Sequence, residues 1–165
     1  MSREQFVGTW KLVSCIWTDT AGRLSYPYGH DPQGYLIYTA DGSMAVNFMS
    51  ANRRRFVSDD PLGGSIEERR TGKKTYQSYC GAFEVGGDCV IHHVEVSLFP
   101  NWVGSKQERF YRFSGNQLTL STHPLLLRGA EHRAELVWER VLHHAPTERD
   151  AGETHGQETV SSDHP

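Results

Sequence analysis

The feature that most constrains the fold of this chain is a series of short segments rich in β-branched and aromatic residues. They recur at roughly 8–15-residue intervals, with turn residues between them. The segments cover 9–17, 35–38, 44–48, 76–85, 89–98, 107–113, 118–122 and 133–141. The breaks include the turn-rich stretch 19–23, Asp41-Gly42, Gly86-Gly87-Asp88, the stretch 100–104 and Ser114-Gly115-Asn116. Asp-Gly between two such segments is a strong hairpin signal, because both residues tolerate the backbone twist of a tight turn. Only a short turn before Phe6 and the polar stretch 65–73 read as helical, which does not support a βαβ repeat. The chain therefore reads as all-β, with about eight antiparallel strands in up-and-down order. Closure into a barrel removes the exposed edges such a sheet would otherwise present.

Composition sets the boundaries of that barrel. From His143 onward the only apolar residues are Ala145, Ala151 and Val160, and no aromatic occurs. Such a stretch cannot bury enough surface to offset the entropy of ordering it. Residues 1–142 are thus expected to form the barrel domain and 143–165 a disordered polar tail. With 17 Lys and Arg against 20 Asp and Glu, the net charge of −3 argues against a strong grip on nucleic acid. No apolar run approaches the roughly 18 residues needed to span a bilayer, so no membrane insertion is expected. The N-terminal Met1-Ser2-Arg3-Glu4-Gln5-Phe6 lacks the apolar stretch of a secretory signal, which points to the cytoplasm. Cys15, Cys80 and Cys89 are odd in number and without CxxC spacing, as in a reducing compartment. They read as three small buried or half-buried thiols rather than a metal site.

Side chains alternate across a strand, so each segment has two faces. In 107–113 the better inward face carries Gln107, Arg109, Tyr111 and Phe113; in 133–141 it carries Leu136, Trp138 and Arg140. Along 89–98 the natural interior is Val90, His92, Val94, Val96 and Leu98. His93, Glu95, Ser97 and Phe99 then face outward, with the choice between His92 and His93 left open. Together with Trp10, Leu12, Val46, Phe48, Tyr79 and Phe83, these residues give a mainly aromatic and aliphatic interior with a few polar groups. That is the composition of a small-molecule pocket, or else of a filled core. Arg109 favours the pocket, because an unpaired buried guanidinium costs several kcal/mol and needs a carboxylate, a ligand or water.

These residues resemble the lipocalin-like domain family of small calycin-type barrels. The resemblance rests on Gly8-Thr9-Trp10, Gly34-Tyr35-Leu36 with Tyr38, Asp41-Gly42, and Tyr79-Cys80-Gly81 with Phe83. It continues through His92-His93-Val94-Glu95-Val96-Ser97, Pro100-Asn101-Trp102-Val103-Gly104, Gln107 and Arg109. It closes with Leu118-Thr119-Leu120 and Trp138-Glu139-Arg140, spanning about residues 5–142. The resemblance implies an internal cavity and a structural pair, Trp10 against Arg140, closing one end. Relatives of this kind include cofactor-independent cyclases and isomerases as well as simple binders.

Two functions follow as expectations. The first is a cofactor-independent cyclase, isomerase or dehydratase acting on a natural-product-like hydrophobic substrate, with no metal. His92 would serve as general acid or base, with Arg109 and Tyr79 stabilising developing charge. Gln107, Tyr111, Phe83, Phe48, Trp102 and Trp138 would bind the substrate. The alternative is a non-catalytic carrier or sequestering protein for a small hydrophobic ligand, which needs the same walls and no proton-transfer group. A homodimer is left open. The loop 58–64 with segment 65–73 is a candidate lid over the mouth, and Arg53-Arg54-Arg55 a candidate guide for an anionic substrate.

Overall fold

The computed structural model describes residues 2–142; the expected tail, 143–165, lies outside the described residues. Ten strands form, in the order β1 (Gly8–Asp19), β2 (Leu24–Ser25), β3 (Gln33–Tyr38), β4 (Ser43–Met49), β5 (Tyr76–Gly86), β6 (Cys89–Ser97), β7 (Lys106–Ser114), β8 (Gln117–Ser121), β9 (Leu125–Leu127) and β10 (Ala130–Arg140). One helix, α1 (Ile66–Lys74), and two 3₁₀ turns, Arg3–Gln5 and Pro100–Trp102, complete the elements of the described residues. All strand pairings are antiparallel, and β1 pairs with both β3 and β10. That second pairing closes β1, β3–β8 and β10 into an eight-stranded barrel. The short β2 and β9, absent from the sequence reading, extend β1 and β10 at one rim. The β9–β10 hairpin turns through Arg128 and Gly129 with φ of 52° and 81°, the left-handed pair a two-residue loop requires.

α1 buries no residue, so its own termini must hold it. Ser65 accepts from the Glu68 amide at 3.2 Å, and Glu68 accepts from the Ser65 amide at 2.7 Å, a reciprocal capping box. At the other end Arg53 donates to Gly72 O and Thr75 Oγ1 and lies over the Tyr76 ring.

Strict alternation fails at two places, and both are β-bulges. In β1, Leu12 opposes Trp138 while Ser14 opposes Val137, leaving Val13 as the extra residue. In β6, Val94 opposes Gly81 while Val96 opposes Cys80, leaving Glu95 as the extra residue. A bulge exchanges the two faces of the strand beyond it. Trp10 and Leu12 point inward before the first bulge; Cys15 and Trp17 do so after it. The expected inward position of Val96 is thereby corrected: it is 62% exposed, whereas Phe99, expected outside, reaches the interior cavity. Gly81 allows the second bulge, since a Cβ there would lie 1.9 Å from the carbonyl oxygen of His93.

One end of the barrel is packed solid. The 3₁₀ turn Arg3–Gln5 delivers Phe6 into the interior, fully buried, with its ring 5.0 Å from Tyr111 and Phe113 and 5.6 Å from Tyr38. Trp10 Nε1 donates to Phe6 O at 2.8 Å. The Arg140 guanidinium lies 4.1 Å from the Trp10 ring centroid and donates to Val7 O and Gln5 O. The pair expected from the resemblance thus forms, joining both ends of the barrel sequence by cation–π attraction and hydrogen bonds. Cys15 is buried, Cys80 and Cys89 are half-buried, and all three are free thiols.

Candidate functional site

The other half of the barrel encloses a cavity of about 390 Å³. That volume falls within the range of small-molecule sites. Its walls are mostly apolar: Leu36, Val46, Phe48, Leu120, Leu136 and Trp138 supply the body. Tyr28, Phe99, Trp102, Leu125 and Leu126 add further surface from loops and the β9 hairpin. Trp102 stands on the 3₁₀ turn after β6, edge-on to Tyr79 at 5.6 Å and to Phe99 at 5.9 Å. Tyr28 meets Phe48 edge-on at 4.9 Å. Arg128 lies over the Trp17 ring at 5.5 Å, which attaches the β9–β10 hairpin to β1.

Six of the nine residues singled out from the sequence line this cavity: His92, Arg109, Tyr79, Phe48, Trp102 and Trp138. Phe83 and Tyr111 lie elsewhere. Phe83 packs against Tyr38 at 4.6 Å and beneath Arg3, and Tyr111 packs on Phe6 while its hydroxyl donates to Gly87 O. Gln107 does not reach the wall and acts through its neighbour, accepting from Arg109 Nη2 at 3.1 Å and donating to Ser105 Oγ. Arg109 also donates to Glu108 O at 2.8 Å. Among the described residues no carboxylate pairs with it, although it is buried. Neither α1 nor the loop before it contributes to the wall, so the expected lid does not cover this cavity. Arg53 is bound to the end of α1 instead of facing the cavity.

His92 faces inward and is completely buried, while His93 faces outward to Glu84 at 3.0 Å. Both ring nitrogens of His92 are occupied. Nε2 lies 2.7 Å from the Tyr38 hydroxyl and Nδ1 2.9 Å from the Tyr79 hydroxyl. Burial, then the nearby Arg109 cation, hold the imidazole pKa well below its ordinary value of 6.5. The ring is therefore neutral at physiological pH. Burial likewise pushes the Cys15 thiol and the Tyr28 phenol up to about 12, so both stay protonated. Among the described residues no group of three His, Cys, Asp or Glu side chains converges to hold a metal ion.

The sequence reading missed Tyr38 as a member of the site. Its signal was available, because Leu36 and Tyr38 alternate inward along β3 and both are buried. It also missed Trp17, Leu125, Leu126 and Arg128, which no regular alternation places at the cavity.

Comparison with known proteins adds two findings. A family model described as a lipocalin-like domain matches residues 7–141. The chain is also similar to the 4'-hydroxy-3'-methoxypropiophenone carrier protein ppsC of Aspergillus oryzae, with 35% identity over 107 residues. The match covers 59% of this chain and 96% of that protein.

Proposed function

This chain belongs to the lipocalin-like domain family, and from that premise we propose that its barrel carries a small hydrophobic aromatic molecule without converting it. The observation that carries this reading is a largely apolar cavity in whose wall the His92 imidazole, the Cys15 thiol and the Tyr28 phenol are each held neutral. A cyclase or isomerase needs a group that takes or gives a proton near working pH. In His92 that role is opposed by burial and by two tyrosine partners, so the carrier alternative is the better supported. The carrier role of the Aspergillus oryzae relative supports it from an independent side and suggests an aryl ketone as ligand.

The test is a calorimetric titration with 4'-hydroxy-3'-methoxypropiophenone, followed by mass spectrometry of the recovered ligand after long incubation. Saturable one-to-one binding with the ligand returned unchanged is the expected result. Conversion of the bound compound would replace this reading with the enzymatic one. Absence of binding by this ketone and by simpler aryl ketones would remove the carrier reading.

A further inference from the structure

We propose that the cavity selects ligands bearing a hydrogen-bond acceptor oxygen, because the chain Tyr38–His92–Tyr79 turns the Tyr79 hydroxyl proton toward the bound molecule. This inference rests on the carrier reading and specifies its ligand class as aryl ketones and related oxygenated aromatics.

Three protons are available: two hydroxyl protons and the single N–H of a neutral imidazole. The chain contains two hydrogen bonds, Tyr38 to Nε2 and Tyr79 to Nδ1, and each uses one proton. One proton is left over, and it must sit on Tyr38 or on Tyr79. Tyr38 is fully buried outside the cavity wall, enclosed by Phe6 and Phe83, and among the described residues its hydroxyl has no partner but His92. A proton stranded there would be a buried donor without an acceptor, which is costly. Tyr79 is on the cavity wall, where a ligand oxygen can accept. The stable arrangement therefore has Tyr38 O–H donating to Nε2, Nδ1–H donating to the Tyr79 oxygen, and the Tyr79 proton free.

A second observation points the same way. Among the described residues, Trp138 Nε1 is the buried side-chain polar atom that lacks a partner, and Trp138 also lines the cavity. The Arg109 guanidinium, without a carboxylate partner among the described residues, adds positive charge to the same wall. Donors that cannot be satisfied internally are the groups a ligand acceptor would complete.

Two measurements test this on the intact protein. Two-bond ¹H–¹⁵N spectra of the free protein should show the His92 ring protonated at Nδ1 and bare at Nε2; the opposite tautomer would overturn the proposal. Propiophenone and propylbenzene, nearly equal in shape, should differ about tenfold in affinity in favour of the ketone, the range of one hydrogen bond. That preference should shrink toward unity in Tyr79→Phe. It should also weaken in Tyr38→Phe, which leaves the cavity wall intact but frees His92 to accept from Tyr79. Equal binding of both compounds by the unaltered protein would overturn the acceptor preference and leave the carrier reading standing. Binding of neither would remove both.

Discussion

At one end of the barrel Phe6, Trp10, Tyr111 and Phe113 fill the interior with rings about 5–6 Å apart, and Arg140 ties β10 to the backbone before β1. At the other end Phe48, Tyr79, Trp102 and Trp138 are just as aromatic, yet they surround about 390 Å³ of space. The contrast lies in what enters from outside the strands. The Arg3–Gln5 turn drives Phe6 down the axis and plugs one end; the loops at the other end bring side chains to the wall, not across it. A cavity thus results from a missing plug rather than from a different kind of strand.

If the two ends are energetically separate, substitutions should divide between stability and binding. The largest effect is expected from Phe6→Ala, which empties the plug and should cost about 3–5 kcal/mol in urea denaturation. The folded fraction should still bind an aryl ketone within a factor of two; loss of binding by folded protein would show that the ends are coupled. Arg140→Met should come next, at about 2 kcal/mol, since it removes the cation over Trp10 and two charge-assisted hydrogen bonds. Equal stability of this variant would mean that the pair is decorative.

His92 sits between the ends, facing Tyr38, Tyr79 and Arg109, and it supplies a pH test. Its folded pKa is depressed, so below about pH 6.5 the unfolded chain takes up a proton that the native protein refuses. Stability is then full above that pH and falls toward acid, by up to about 1.4 kcal/mol per pH unit. The paired carboxylates Asp19, Asp41 and Glu68 are also depressed, from ordinary values of 3.8, 3.8 and 4.5, so their loss begins only at lower pH. Denaturation at pH 7.5 and 5.5 should therefore differ by about 1.4 kcal/mol, with the His92 ring signals unmoved in the native spectrum. Native-state titration of His92 within this range would break the account of its environment. The smallest stability effect belongs to Trp102→Ala at the hollow end, under about 1 kcal/mol because the residue is only half-buried. Its ligand affinity should nevertheless fall about tenfold, as calorimetry would show.

Much of the barrel was legible because strand periodicity is local. All eight staves were located from alternation and turn residues, with ends shifting by a few residues. Trp10 and Arg140 were matched by resemblance and meet in the fold at 4.1 Å. The two bulges were not legible, because an extra residue between paired strands is defined only by its partner strand. They exchange Val96 for Phe99 and carry Trp17 to the cavity. Phe83 and Tyr111 have the right chemistry and the right inward direction, but depth along the barrel axis is invisible to a two-fold alternation.

The sequence by itself determined the class of fold, the inward direction of Arg109 and an interior rich in aromatics, and it narrowed the inward histidine to His92 or His93. Each follows from residue type and a period of two, which need only the chain's own neighbours. Only the tertiary structure decided that His92 would be held between Tyr38 and Tyr79, far apart in sequence. The same holds for the absence, among the described residues, of a carboxylate opposite Arg109 and for which end stays hollow. Those outcomes depend on how closure of β1 onto β10 sets the relative depth of side chains from different strands, and that depth controls burial, protonation and the direction of each hydrogen bond.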